Sequence, residues 1–211
     1  MTTDFGEAEF SARENVSRET LERLRIYASL LREWNPSAKL VATSTLPELW
    51  TRHFLDSAQI LRFGPHGELH WLDIGSGGGF PGMVLAIIAA ERTPAARFTL
   101  VEAAWRKCQF LRKVAAETGI PVKLCESRFE TLDRQCADAV TARAVAPLKA
   151  LMEMAARHLA PGGICLFPKG AARRKDIDQA GGDWNFELRE QVSVTNPEAA
   201  ILLIRGLRRA R

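Results

Sequence analysis

The run Trp71-Leu-Asp-Ile-Gly-Ser-Gly-Gly-Gly-Phe-Pro-Gly82 constrains this chain more than any other stretch. An apolar strand carrying one carboxylate breaks into a glycine-dense turn, and the helical run Met83-Val-Leu-Ala-Ile-Ile-Ala-Ala90 follows. Glycine lets the backbone turn sharply and lets a ligand approach the main chain where no Cβ stands. Free amide N–H groups at the start of the helix are expected to point into the turn. A strand, glycine turn and helix in this order form a small-molecule cofactor site, and the acidic residue bears on which cofactor it takes.

Gly77-x-Gly79-x-x-Gly82 matches the dinucleotide fingerprint, with Glu102 standing 25 residues after Gly77 as the acidic ribose partner. Asp73 opposes that reading. A pyrophosphate at the helix start, about 4 Å from a carboxylate, is repelled by about 4 kcal/mol per charge pair at an effective dielectric of 20. S-adenosylmethionine brings an ammonium, a sulfonium and only one carboxylate, so the sign reverses. Asp73-Ile-Gly75-Ser76-Gly77 therefore favours the methyl donor. The plainer alternative is that Asp73 only caps the turn through its side chain.

The remaining chain is ordinary globular material. Its 211 residues are enough for one domain with a full core, and 46% apolar with 26% charged residues implies neither disorder nor a coiled coil. The longest apolar run is about eight residues, too short to span a bilayer. No secretory leader pattern opens the chain, so a cytoplasmic protein is expected. Cys108, Cys125, Cys136 and Cys165 are too widely spaced for a Cys-x-x-Cys pair and read as buried free thiols, so no metal site is expected. A net charge of +4 permits an RNA partner without establishing one. No feature demands an obligate interface, and a monomer is expected.

Residues 1–16 are polar and read as a frayed terminus. Ser17 caps a helix on which Leu21, Leu24, Ala28 and Leu31 recur up to Trp34, where Asn35-Pro36-Ser37 is expected to stop it. A second helix is expected over Pro47 to Phe63. From Leu69 strands and helices alternate: strands at Leu69–Ile74, Arg97–Glu102, Val122–Cys125, Ala137–Thr141 and Ile164–Phe167, then two more near Phe186–Thr195 and Ala200–Ile204. Helices are expected after the glycine turn, over Trp105–Thr118 with Gly119 as its stop, over Pro147–Leu159 and over Ala171–Gln179. Such β-α-β repetition predicts an α/β fold with a parallel sheet and helices on both faces, whose ligands bind beyond the carboxyl ends of the strands.

Several candidates follow strands and so converge there. Glu102 ends its strand and can accept both ribose hydroxyl protons of an adenosine, or be a solvated carboxylate near a helix start. Phe129-Glu130 can flank adenine, although Phe129 fits equally in the core. The segment Thr141-Ala-Arg143-Ala-Val-Ala-Pro147 holds neither the Pro-Pro-aromatic cluster that grips an amine nor a Pro-Cys nucleophile. That absence fits an acceptor with its own lone pair, such as a purine ring nitrogen, needing in-line placement rather than a base. Arg128, Arg143 and Lys169 stand at the rim and can hold phosphates or a base edge, or be solvated charge. Arg205, Arg208, Arg209 and Arg211 form a basic tail of the same ambiguity. On the second helix, Arg52 and Asp56 can pair at i, i+4, and His53 reads as a packing or hydrogen-bonding residue. His66, His70 and His158 look incidental.

Taken together, Arg52-His53-Phe-Leu-Asp56-Ser57, Leu72-Asp-Ile-Gly-Ser-Gly-Gly-Gly-Phe-Pro-Gly82, Ser127-Arg128-Phe-Glu130, Arg143-Ala-Val-Ala and Pro168-Lys169-Gly170 resemble the bacterial small-subunit ribosomal RNA guanine-N7 methyltransferases, the RsmG family once called glucose-inhibited division protein B. The resemblance spans roughly residues 20–205. It implies a class I S-adenosylmethionine-dependent methyltransferase fold: Rossmann-like, with a mostly parallel seven-stranded sheet. The pattern along the chain divides it into a flexible N-terminus over residues 1–16, a small helical lobe over 17–68 and a methyltransferase domain over 69–211, one compact unit overall. The implied reaction is methyl transfer from S-adenosylmethionine to N7 of one guanine in 16S rRNA, as naked RNA or within the small ribosomal subunit.

By the same resemblance, donor contacts fall on Gly75, Phe80, Phe129, Glu130 and Arg143, with Glu102 at the ribose. From their own chemistry, Asp73 and the loop Gly75–Gly79, with Ser76 and Gly77, are expected to position the methionine end. Arg143, Arg128, Lys169 and Asp56 become the candidates for acting on the acceptor, Asp56 by stabilising the cation that guanine becomes. The chain departs from the family in having Lys39-Leu40-Val41 for Asn-Leu-Thr and Ala199 for an arginine, both outside the donor loop. A nicotinamide-dependent oxidoreductase and a non-catalytic RNA-binding or ribosome-assembly module are the rival readings.

Overall fold

The structure, a computed structural model, describes residues 5–65, 67 and 69–210; His66 and Arg211 lie outside them. Seven strands form one sheet in the order β3-β2-β1-β4-β5-β7-β6. They are β1 His70–Ile74, β2 Arg97–Glu102, β3 Lys123–Glu126, β4 Ala137–Thr141, β5 Leu159–Lys169, β6 Trp184–Val192 and β7 Ala200–Arg209. The first five are parallel, and β7 runs antiparallel between β5 and β6. The chain leaves β1 toward β2 and β3, then returns to place β4 on the other side of β1. Sheets of this kind open a ligand crevice at that switch.

Period-two side chains give the sheet two buried faces. Trp71, Phe98, Leu100, Ile164 and Leu166 enter one apolar cluster, whereas Leu72, Val101, Val140, Cys165 and Phe167 enter the other. The second face is covered by α6 (Leu148–His158) and α7 (Arg173–Ala180). The first is covered by α4 (Gly82–Arg92), α5 (Trp105–Thr118) and the N-terminal helices α1 (Glu7–Glu14) and α2 (Arg18–Ala38). Helix α4 is buried from Gly82 to Ala89, which explains its apolar residues on every side.

Four local expectations are corrected. The polar terminus contains α1, because Phe10 is fully buried against Trp50 and Phe54 and the buried Glu14 accepts from Arg62; burying a side chain such as Phe10 is worth about 1.5–3 kcal/mol. Helix α2 passes through Pro36 to Ala38, since Asn35 and Ala38 are buried and Lys39, at φ 48°, closes the end on Asn35 O. One lost backbone bond is outweighed by that packing. The segment expected as one helix over Pro47 to Phe63 is a π-helical turn at Trp50–Leu55, a short α turn, α3, at Asp56–Ala58 and a 3₁₀ turn at Gln59–Phe63. The wide winding carries Asp56 off the stripe of Arg52, so the two do not pair; Arg52 faces Glu48 at 4.0 Å. The strand expected over Ala200–Ile204 runs on as β7 to Arg209, which pairs with Glu153 and lies 4.6 Å from the centroid of the Trp184 ring.

Ser17 caps α2 by accepting from Thr20 N at 3.1 Å, and Gly119 ends α5 at φ 65°. Cys108 and Cys165 are buried free thiols, but Cys125 is half-buried and Cys136 exposed.

Candidate active site

Each parallel strand ends at the same edge, so the loops after β1 to β5 meet there. Three adjoining recesses result. The largest, about 620 Å³, is lined by Gly75–Gly78, Phe80, Glu102, His53, Asp56 and Arg143. A second of about 290 Å³ is formed by Glu102, Ser127, Arg128, Phe129 and Glu130. Between these two stands Val145, which lines both with Gly75 and Glu102. A third of about 270 Å³ lies beyond Arg143, toward Lys169 and Ser193. A cleft of about 500 Å³ around His70, Arg97 and Lys123 opens at the opposite, amino-terminal strand edge, away from every loop named here. His158 is buried at the end of α6.

The glycine loop is held from both sides. Glu102 Oε2 accepts from Gly77 N at 2.9 Å and Oε1 from Ala104 N at 2.8 Å. A carboxylate offers about four lone-pair sites, so two remain for further donors. Gly75, at φ 67°, leaves no room for a Cβ, which would lie 2.6 Å from Val145 Cγ2. Gly79, at φ 93°, is under the hydroxyl of Tyr27, and that hydroxyl donates to Gly78 O. Three of the amides expected to be free are not. Gly79 N and Phe80 N both donate to Ser76 O, at 2.7 and 3.2 Å, and Met83 N donates to Gly79 O.

Asp73 lies beneath this loop and does not line the recesses. It is 2% exposed, and Thr141 Oγ1 donates to its Oδ1 at 2.7 Å across the β1–β4 register. Burial pushes its carboxyl up to about 6, against the Thr141 hydrogen bond and the nearby Arg143 charge. Ser76 is also buried, its hydroxyl donating to Asp73 O.

Arg143 is the most constrained cation of the site. Its Nη1 donates to Arg52 O at 3.0 Å and Asp56 Oδ2 at 3.1 Å, its Nη2 to His53 Nδ1 at 2.9 Å, and its guanidinium lies 5.0 Å from the centroid of the Phe80 ring. Phe80 in turn stacks on Tyr27 at 5.4 Å. Because arginine only donates, His53 Nδ1 accepts, and Nε2–H donates to Thr45 Oγ1 at 2.8 Å. Asp56 Oδ1 accepts from Thr195 at 2.9 Å and Gln59 Nε2 at 3.0 Å, tying the β6–β7 loop to the site.

Arg143, Asp56, Phe80 and the glycine loop thus come together. Lys169 is across the third recess, its Nζ donating to Ala146 O and Asp176 at 2.9 Å each. Arg128 is exposed beyond Val145, beside Phe129 and Glu130, and does not join the Arg143 cluster. Thr45, Val145 and Tyr27 border or brace the site without having been singled out in the sequence, and His53, read there as a packing or hydrogen-bonding residue, is the partner of Arg143. Thr141 was within reach, since strand pairing sets it opposite Asp73. Among the described residues no group of three or more His, Cys, Asp or Glu could hold a metal, and no helix is long and apolar enough to cross a membrane.

Known proteins resemble this chain over most of its length. The profile of the family described as rRNA small subunit methyltransferase G (GidB) matches residues 20–204. The ribosomal RNA small subunit methyltransferase G of Ruegeria sp. (strain TM1040) is 48% identical over 195 residues, covering 92% of this chain and 95% of the relative. That of Rhodospirillum centenum is 47% identical over 198 residues, covering 94% and 89%. Among solved structures, a SAM-dependent methyltransferase from Aquifex aeolicus superposes with a TM-score of 0.57 at 13% identity, over 84% of this chain and 97% of that one, a likeness of fold. The chain belongs to the rRNA small subunit methyltransferase G family.

Proposed function

We propose that this protein transfers a methyl group from S-adenosylmethionine to N7 of a guanine in small-subunit (16S) ribosomal RNA. The observation that carries the reading is the placement of Glu102, its carboxylate on Gly77 N–H and facing both the glycine recess and the Phe129–Glu130 recess. The residues present fit the donor. The loop Gly75, Ser76 and Gly77 would hold its methionine part, with Asp73 acting from below the loop. Glu102 would accept its ribose hydroxyls, and Phe129 and Glu130 would flank adenine. Bound there, the donor supplies an electrophilic methyl group on a sulfonium. The nicotinamide alternative is disfavoured, because the amides of Gly77, Gly79, Phe80 and Met83 are already bonded within the protein.

The protein's part in the chemistry is placement. Guanine N7 carries a free lone pair, so no side chain has to remove a proton, and orientation alone can lower a barrier by about 7–11 kcal/mol. Arg143 borders both the glycine recess and the recess toward Lys169, and would align the acceptor between them. Methylation makes guanine cationic. Asp56, 3.1 Å from Arg143 Nη1, is the carboxylate available to offset that charge.

The test is to map N7-methylguanine in small-subunit rRNA from cells with and without the protein, then to add purified protein and labelled donor to the unmethylated RNA. One position should gain the label. Transfer to no RNA position would leave a non-catalytic RNA-binding module, and tight NAD binding without donor binding would leave an oxidoreductase.

A further inference from the structure

Trp105 has the most exposed large apolar side chain among the described residues, at 62%. It opens α5, three positions after Glu102, and therefore stands on the rim of the active-site edge. Together with Trp34 of α2 it walls a groove of about 550 Å³ that also holds Glu33, Ser37, Arg106 and Gln109. With the Gln109 amide oxygen turned toward it, the indole N–H donates at 3.2 Å. The polar edge of the ring is satisfied on its own helix, and its face is left open.

The groove's own lining carries one charge of each sign, Arg106 and Glu33, and further cations stand on its side toward the glycine recess, whose lining also holds Glu102 and Asp56. Arg106 donates to Ser37 O at 3.1 Å and is otherwise exposed. Lys107 lines the glycine recess, and exposed Lys39 falls between Ser37 of the groove and Leu40 of that recess. Glu33 is the one carboxylate lining the groove. Among the described residues no aliphatic side chain lines it, which suits an amphipathic protein helix poorly. Aromatic faces beside cations are how proteins hold unpaired nucleic-acid strands.

We propose that the Trp105–Trp34 groove receives an unpaired base of the RNA substrate, stacked on the Trp105 indole, while Arg106, Lys107 and Lys39 face the adjoining phosphates. The inference rests on the RNA reading above. A guanine whose N7 is presented to a recessed donor has left its stack, and a flanking base loses a stacking partner that Trp105 replaces.

The test is the affinity of the protein for small-subunit rRNA prepared from cells lacking it, measured at fixed salt. Trp105→Ala should bind about tenfold more weakly, Trp105→Phe within about twofold of wild type, and both should keep wild-type donor affinity and melting temperature. Arg106→Gln should flatten the dependence of affinity on salt by about one unit of slope. In turnover, Trp105→Ala should raise KM for RNA with kcat unchanged. Wild-type RNA affinity in Trp105→Ala overturns the proposal, whether the groove is idle or holds a protein partner, and so does a loss of donor affinity in the same variant. Binding needs no methyl transfer: weakened binding with no N7-methylguanine formed by wild type would sink the proposed reaction and leave the groove assignment standing. Normal methylation with an unaffected Trp105→Ala would do the reverse, and no RNA binding by wild type would end both.

Discussion

His53 Nδ1 accepts a hydrogen bond from Arg143 Nη2 at 2.9 Å, and only a neutral imidazole can do so. Burial first, then the charges of Arg143 and Arg52, pushes His53 down to about 3. The unfolded chain takes up this proton near 6.5, well before the folded one does. Stability contributed by His53 is therefore fully present above pH 6.5 and is lost as pH falls toward 3, by up to about 1.4 kcal/mol per pH unit. His53→Gln keeps an acceptor for Arg143 without titrating. Urea unfolding between pH 4 and 7 should show a flatter acid limb in the variant, with methyl transfer largely retained. In His53→Leu, Arg143 Nη2 loses its acceptor while Arg52 O and Asp56 remain, and transfer should fall about 10- to 100-fold.

Asp73 titrates with the opposite consequence. Its folded carboxyl, at about 6, holds a proton that the unfolded chain releases near 3.8. The folded state is penalised progressively as pH rises through that window, by about 3 kcal/mol in full above pH 6. Asp73→Asn removes the penalty and retains the Thr141 contact. The difference between wild type and variant in urea midpoint should grow from pH 4 to pH 6 and then level off. A constant difference across that range would refute the assignment.

At Gly75 a side chain costs twice, through φ 67° and through Val145. Gly75→Ala should lose about 1–2 kcal/mol of stability from the backbone alone and more than tenfold in donor affinity by calorimetry. Gly119→Ala, at φ 65° with open space around it, is the control: a similar stability loss and unchanged donor binding.

Asp56→Asn keeps an acceptor for Thr195 and removes the charge beside Arg143. Single-turnover methyl transfer with RNA saturating should slow at least about tenfold. An unchanged rate would leave Asp56 as a tether of the β6–β7 loop and nothing more.

What could be read without coordinates followed from local rules. The strands from β1 to β5 alternate or run apolar, Ser17 and Gly119 obey helix-end chemistry, and Glu102 and Arg143 sit at the site because residues after parallel strands must. The misses arose where packing overrode local preference. Pro36 stays inside α2 because its neighbours are buried, and α1 forms because Phe10 has a pocket to fill. His53 was legible as a hydrogen-bonding residue but not as the partner of Arg143, since the π-helical turn sets its direction. Val145 carries no signal at all, being one aliphatic residue in a loop.

The hydroxyl of Tyr27 reaches Gly78, fifty-one positions along the chain (|i−j| = 51), and its ring supports Phe80. The N-terminal helices are accordingly masonry under the donor loop, not ornament beside it. A fragment begun at Leu69 would carry every glycine of the motif and still lack the prop that shapes it. Conversely, each increment of free energy gained on loading the donor is shared with the seating of α2, so occupancy of the loop should be audible as slowed amide exchange around Tyr27.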